Sequence, residues 1–319
     1  MSTLALGGAA LGNLFRPVTD AQARATVDTA WDLGVRAFDT APHYGLGLSE
    51  RRLGAALRDR PRAAFTLSTK AGRLLEPDPR PGDDLAEGGF AVPATHRRVW
   101  DFSADGVRRS LEESLARLGL DRVDTVYLHD PDDHAEQAFR EAYPALERLR
   151  AEGTVARIGA GMNQSAMLTR FVRDTDVDEV LCAGRCTLLD QSAHADLLPA
   201  AEARGTAVVI GGVFNSGLLA DPGPDATYDY AQAPPELLAI ARKLSDLAGR
   251  YGISLRAAAL AFPFAQPAVT AVLVGARTPE EVRDAVTQAG TRVPGDFWKE
   301  AQAEGLLPAD VPVPTGEPS

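Results

Sequence analysis

The stretch VRAFDTAPHYGLGLSERRLGAALRDRPRAAFTLSTK, Val35 to Lys70, reads as strand, helix and strand in succession. Val35–Phe38 is a short strand candidate followed by an Asp-Thr pair, a helix lies near Ser49–Leu57, and Phe65–Ser68 is the next strand. The same rhythm extends outward in both directions. Upstream, Thr19 and Gln22 have capping-box spacing, Ala23, Val27, Ala30 and Leu33 mark one helical face, and Gly34 suits the helix end. Downstream, Val107, Leu111, Leu115 and Leu118 fall at helical spacing within Ser103–Leu120, with Gly119 as the stop. Strand and helix then alternate through Val123–Leu128, Ala135–Glu152, Val155–Ile158, Val180–Cys182, Ala195–Arg204 and Ala207–Ile210. Helices over Pro235–Tyr251 and Ser254–Phe262, a strand over Ala271–Val274 and a helix over Thr278–Thr287 complete the series. Roughly seven or eight strand–helix units without a composition break predict a parallel sheet, either an eight-fold barrel or a doubly wound sheet. The count and the chain length favour a single α/β domain, a (β/α)8 TIM barrel over 1–319.

The chain has 319 residues, 45% hydrophobic and 24% charged, with 33 Lys plus Arg against 44 Asp plus Glu and a formal charge of −11. That acidity, without a basic cluster, argues against nucleic acid or anionic lipid as partners. No apolar run of ~18 residues occurs and the N-terminus carries no basic residue before its apolar run, so neither a membrane span nor a secretory signal is expected. Cys182 and Cys186 are too few for a disulfide scaffold and read as small core residues. The expectation is a cytoplasmic protein, a monomer or weak homo-oligomer, acting on a small molecule.

Two segments break the rhythm. Residues 76–95 (EPDPRPGDDLAEGGFAVPAT) read as a long Pro-, Gly- and Asp-rich loop on the strand-to-helix side, the face where barrel enzymes hold their sites, and so as a substrate flap. Residues 305–319 read as an extended tail.

Four polar residues stand at or just beyond the ends of three strands: Asp39, Tyr44 in the loop just beyond it, Lys70, and His129. An ammonium beside a phenol favours the phenolate, a carboxylate holds the ammonium, and an imidazole orients a carbonyl oxygen; together they make a proton-transfer site. A cluster at His129-Asp-Pro-Asp-Asp-His134 also admits a divalent metal, but few histidines are available and Asp132, Asp133 and His134 read as a helix start; no metal is expected.

The block FDTAPHYGLGLSERRLG (Phe38–Gly54), with Ser68–Lys70 and Leu111–Asp130, resembles the signatures of the aldo-keto reductases. Tyr127–Asp133 (YLHDPDD) and the ending FWKEAQAEGLLPADVPVP resemble the branch of aldose 1-dehydrogenases acting on L-fucose, L-galactose or D-threo-aldoses, which also holds pyridoxal 4-dehydrogenase. The resemblance implies a catalytic tetrad of Asp39, Tyr44, Lys70 and His129, with Tyr44 as the proton-transferring group, and hydride exchange with a nicotinamide. It implies cofactor contacts at Asp39, Asn163, Arg185, the loop Phe214, Asn215, Ser216 and Gly217, and the segment holding Gly275, Arg277 and Glu281. Gly275 and Glu281 stand where NADP-preferring members carry Lys and Arg, which favours NAD with NADP tolerated. Gly211-Gly212 stands where many members have a stacking Tyr. His43 and Asp130 are candidate contacts for sugar hydroxyls, and Trp100, Phe102 and the tail near Trp298 are expected to flank the opening. The reaction expected is oxidation of an aldose at C1 to the lactone; turnover of other aldehydes such as pyridoxal, a non-catalytic redox sensor and a metal-dependent hydrolase are the alternatives.

Overall fold

The structure, a computed structural model, describes residues 3–78, 80–229 and 231–316. Eight parallel strands close into a barrel in chain order: β1 Thr3–Gly7, β2 Ala37–Asp39, β3 Thr66–Ala71, β4 Thr125–His129, β5 Arg157–Met162, β6 Glu179–Ala183, β7 Ala207–Gly211 and β8 Val269–Gly275, with β8 pairing back onto β1. Around them lie α1 Asp20–Asp32, α2 Leu48–Leu57, α3 Ala104–Leu118, α4 Tyr143–Ala151, α5 Ser165–Asp174, α6 Leu197–Arg204, α7 Pro235–Arg250, α8 Leu255–Ala261, α9 Pro279–Ala289 and α10 Gly295–Ala303. The α/β barrel expected from the alternation is the fold observed. One strand was illegible: β1, Thr-Leu-Ala-Leu-Gly, has little β-branching and abuts a Gly pair, so pairing to β2 and β8 rather than local preference makes it a strand.

Local chemistry sets the helix ends. Thr19 Oγ1 accepts from Gln22 N at 3.1 Å, Ser103 Oγ from Gly106 N at 3.0 Å, and Thr278 Oγ1 from Glu281 N at 3.2 Å. Gly119 closes α3 at φ +63°, donating to Leu115 O. Residues 135–152 do not form one regular helix: a π-turn over Ala138–Ala142 precedes α4, so the apolar period slips once before Tyr143.

The polar residues of the Phe38–Gly54 block are mostly joinery. Ser49 Oγ donates to Gly8 O at 2.7 Å, tying α2 to the end of β1. Glu50, fully buried, accepts from Thr69 Oγ1 at 2.9 Å and Arg117 Nε at 2.5 Å, linking α2, β3 and α3. Arg52 Nη1 reaches Leu11 O and Asn13 Oδ1, both at 2.7 Å, and Nη2 reaches Val18 O at 2.6 Å. These bonds fix the loop between β1 and α1 beside the barrel mouth.

Residues 76–95 are not an unstructured loop. Arg73–Pro77 pairs antiparallel with His96–Trp100, and Asp83–Asp84 pairs with Phe90–Pro93, so 73–100 is a layered hairpin excursion over the mouth. Its prolines and glycines are turn residues between short ladders, which composition alone does not separate from loop. Leu75, Phe90 and Val92 pack with Leu46 and with Leu14, Tyr44 and Leu48 in a small apolar cluster of its own. Trp298 does not flank the opening: it is fully buried on α10, 4.9 Å from the Phe297 ring, and Phe102 is likewise fully buried under the glycine at position 72. In the tail, Leu306, Leu307 and Val311 are buried and Gln302 Nε2 donates to Pro308 O and Val311 O, each at 3.0 Å; residues 317–319 lie outside the described ones. Cys182 and Cys186 are free and fully buried, and burial pushes the Cys182 thiol up to about 12.

Helices α2 and α3 meet so closely that a Cβ on Gly54 would lie 1.9 Å from Leu118 O. Gly54→Ala is therefore expected to cost about 1–3 kcal/mol of stability, read as a lower urea midpoint.

Candidate active site

Parallel pairing places Asp39 opposite Ser68 at the C-terminal end of the barrel, two residues short of bringing Lys70 across from it. Lys70 Nζ closes that gap. It donates to Asp39 Oδ2 at 2.6 Å and to Thr40 O at 3.0 Å, while Ser68 Oγ donates to Asp39 Oδ1 at 2.7 Å. Both charged side chains are almost wholly buried, at 1% and 4% exposure. Burial alone would discharge the ammonium, but the Asp39 carboxylate and the Tyr44 phenol outweigh it and hold the Lys70 pKa above its ordinary value.

Tyr44 sits in the turn after β2, with its ring centroid 4.7 Å from Lys70 Nζ. A close approach fixes that turn: a Cβ on Gly45, which has φ +63°, would meet Gly12 O at 2.2 Å. On the other side the ring packs 6.1 Å from Phe90 of the hairpin excursion and 5.9 Å, edge-on, from His129. His129 ends β4 and is buried; its pKa is held well below 6.5, first by burial and then by the cations Arg73 and Lys70, so the ring is neutral. His43 is neutral for the same reasons, burial first, then Arg73 and Arg98. Its Nδ1 accepts from Arg98 Nε, which places its proton on Nε2.

The four residues expected as a tetrad are thus brought together, with His43 and Asp130 beside them. Trp100 is 42% exposed on the excursion, stacked on Phe102 at 5.9 Å and set against His134 at 5.3 Å. Arg73, Arg98 and Asp84 carried no prediction. Arg98 donates to both Asp84 oxygens, at 2.7 and 2.6 Å, in a pair buried to 11% and 1% exposure, which pins the excursion to His43. The available signal was the pair of five-residue stretches RLLEP and HRRVW bracketing the Pro-rich run, with basic residues clustered in an acidic chain.

A groove of ≈ 250 Å³ runs from Tyr44 and Asp39 across the ends of the later strands, past Asn163, Gly211 and Phe214 to Gly275. Glycines make the room: Cβ atoms on Gly217 or Gly275 would meet nothing within 4 Å. Asn215 and Ser216 hold positive φ, at 45° and 59°, and the buried Asn215 Oδ1 has no partner. A glycine-lined trough leading to a phenol, with an orphaned amide oxygen in its wall, fits an extended dinucleotide. Of the cofactor candidates, Asp39, Asn163, Phe214, Asn215, Ser216, Gly217 and Gly275 line it. Arg185 does not; Asp229 at 3.0 Å and Asp190 at 3.2 Å hold its guanidinium. Arg277 and Glu281 lie beyond, where Glu281 Oε2 accepts from Arg277 N at 2.6 Å and Arg16, a residue without a prediction, approaches Glu281 at 4.0 Å. Arg277 Nε is buried without a partner, and burial together with Arg16 lowers its pKa. Among the described residues no group of three His, Cys, Asp or Glu side chains is placed to hold a metal, and no helix is long and apolar enough to cross a membrane.

Residues 3–303 match the profile of the aldo/keto reductase family. The chain is 46% identical over 310 residues to a D-threo-aldose 1-dehydrogenase of Pseudomonas sp, covering 96% of this chain and 94% of that one. It is 39% identical to pyridoxal 4-dehydrogenase of Microbacterium luteolum, covering 96% and 95%, and 33% identical to L-galactose dehydrogenase of Arabidopsis thaliana, covering 90% and 83%. A glycerol dehydrogenase structure from Gluconobacter oxydans superposes with a TM-score of 0.73 at 24% identity, covering 99% and 94%, which speaks for the fold.

Because the folded state holds His43 and His129 below 6.5, the unfolded chain binds more protons than the folded one once the pH drops through 6.5. Stability is expected to be full above that value and to fall as pH is lowered to 5, approaching ~1.4 kcal/mol per pH unit for each ring. Urea titrations at pH 7, 6 and 5 read this directly, and His129→Asn is expected to flatten the slope.

Proposed function

The chain belongs to the aldo/keto reductase family, an oxidoreductase of aldoses or aldehydes that works with a nicotinamide cofactor, and on that footing we propose that it oxidises the hemiacetal of an aldose at C1 to the lactone. The observation carrying this reading is the buried Lys70–Asp39 pair set beneath Tyr44 at the head of the glycine-lined groove. Lys70 favours the phenolate of Tyr44, which removes the proton of the C1 hydroxyl. Asp39 keeps the ammonium charged and aimed. His129, neutral and buried, orients the C1 oxygen against Tyr44. When bound, the nicotinamide supplies the hydride acceptor. Asn163, the Phe214–Gly217 loop and Gly275 hold the cofactor, and segment 73–100 covers the substrate as a flap, with His43, Trp100 and Asp130 at the sugar.

The sugar reading draws on the likeness to the D-threo-aldose and L-galactose dehydrogenases and on the charged and imidazole groups at the mouth. NAD is preferred and NADP tolerated. Glu281 sets a carboxylate beside Arg277, which disfavours a 2′-phosphate, while Arg277 and Arg16 leave some attraction for it. The protein acts in the cytoplasm, as a monomer or weak homo-oligomer.

The reading is tested by following reduced-nicotinamide absorbance with NAD or NADP and L-fucose, L-galactose, D-arabinose or pyridoxal, with simple aldehydes and reduced cofactor in reverse. Rapid reduction of NAD by a sugar, slower with NADP, is expected; turnover of pyridoxal or simple aldehydes alone would replace the aldose with that class. Tyr44→Phe is expected to keep cofactor binding, read by fluorescence, and to lose about 10²–10⁴-fold in kcat. Unchanged turnover would remove Tyr44 from the proton-transfer role.

A further inference from the structure

Immediately after His129 the backbone turns into the left-handed region: Asp130 has φ +42°, uncommon for a residue with a side chain, and its amide is held by Gly161 O at 3.1 Å. That turn brings Asp130 Oδ2 to 3.7 Å from His129 Nε2. Arg73, the first residue of the excursion, comes from the opposite side and donates through Nη2 to the same Oδ2. Its guanidinium lies 4.2 Å over the Trp100 ring, a platform that fixes its plane, and its buried Nε has no partner. The Arg73 side chain is 11% exposed and that of Asp130 33%, so the carboxylate is partly accessible while the cation is largely enclosed. Among the described residues, every hydrogen bond to the Asp130 carboxylate goes to Oδ2, which leaves Oδ1 free to accept.

Donor and acceptor inventories decide what such a pair can read. Arg only donates and a carboxylate only accepts, whereas a hydroxyl does both and an aldehyde or ring oxygen only accepts. A ligand group that satisfies the free Oδ1 must carry a proton, and one that also meets the Arg73 guanidinium must offer a lone pair. A hydroxyl meets both demands. Its position follows from the chain: the Asp130 carboxylate lies 3.7 Å from the imidazole that, on the proposed reading, holds the reacting oxygen, so the hydroxyl it meets is one close to C1.

Resting on the reading that Tyr44 and His129 hold C1, we propose that Asp130 and Arg73 form the subsite for the 2-hydroxyl, with Asp130 accepting its proton and Arg73 donating to its oxygen. This makes the protein selective for 2-hydroxylated aldoses over aldehydes that lack that group. Burial pushes the Asp130 carboxyl up from its ordinary value and Arg73 opposes the shift, so Arg73 also favours the ionised form that accepts the bond.

The test compares kcat/KM for the best aldose of the panel with its 2-deoxy and 3-deoxy counterparts, using wild-type protein, Asp130→Asn and Arg73→Met. Wild type is expected to lose about 10–100-fold on the 2-deoxy sugar, the worth of hydrogen bonds to charged groups. The ratio of parent to 2-deoxy sugar is expected to shrink towards one in both variants, while the ratio of parent to 3-deoxy sugar stays as in wild type. A wild-type ratio near one for the 2-deoxy sugar overturns the subsite without any variant having to fold. A ratio that persists in both variants, or variants that depress all three sugars equally, assigns the pair to structure alone. If no aldose is oxidised at all, the aldose reading falls and the subsite with it; if aldoses are oxidised without 2-hydroxyl discrimination, only the subsite falls.

Discussion

Removing an ammonium and a carboxylate from water costs several kcal/mol for each ion, and this barrel does so at the end of its own sheet, where Lys70 and Asp39 meet at 2.6 Å. The arrangement holds because the remaining polar valences are met: Ser68 serves the second carboxylate oxygen, Thr40 O takes another ammonium proton, and the Tyr44 phenol takes the third. Those partners stand where they do because β2 and β3 pair in one register, and the register is braced by Ser49 on Gly8 and Glu50 on Thr69. A one-residue slip of β3 would turn Lys70 out of the barrel. The apolar packing of the outer helices thus serves a small polar assembly that would be unstable without it.

Charge near that assembly runs against the charge of the molecule. The chain carries −11, yet Lys70, Arg73 and Arg98 gather around the two histidines of the mouth. Each cation has its own carboxylate, in Asp39, Asp130 and Asp84. The histidines carry none that outweighs burial, so they stay neutral, which leaves them able to present one donor and one acceptor each. Net charge was silent about this interior.

The sequence made the barrel legible because seven of its strands hold short apolar or β-branched stretches alternating with helical periods, and the site legible because Asp39, Lys70 and His129 stand at strand ends with Tyr44 in the turn beyond the first of them. What stayed hidden has physical reasons. Thr3–Gly7 becomes a strand through its two neighbours. Arg73, Asp84 and Arg98 act through pairings across 73–100, and no local period reports which residues of a two-layer hairpin face the barrel. Trp298 was misplaced because a large aromatic near a chain end looks the same whether it rims a cleft or, as here, fills the core beside Phe297. Arg185, expected at the cofactor, stands outside the lining of the groove and pairs with Asp190 and Asp229, a contact between loops far apart in the chain that no local period reports.

The pairing of Arg73 with Trp100 and of Pro77 with His96 has a consequence for how this chain can change. A segment whose two ends are already clasped together adds almost nothing to the closure entropy of the barrel, because that entropy depends only weakly on how much chain lies beyond the clasp. The excursion can therefore be lengthened, shortened or exchanged between relatives while the eight strands and the Lys70–Asp39 pair see the same two anchoring residues. The form of the excursion and the stability of the barrel become separable under mutation, and a lineage can vary what lies over the mouth without first relearning how to fold.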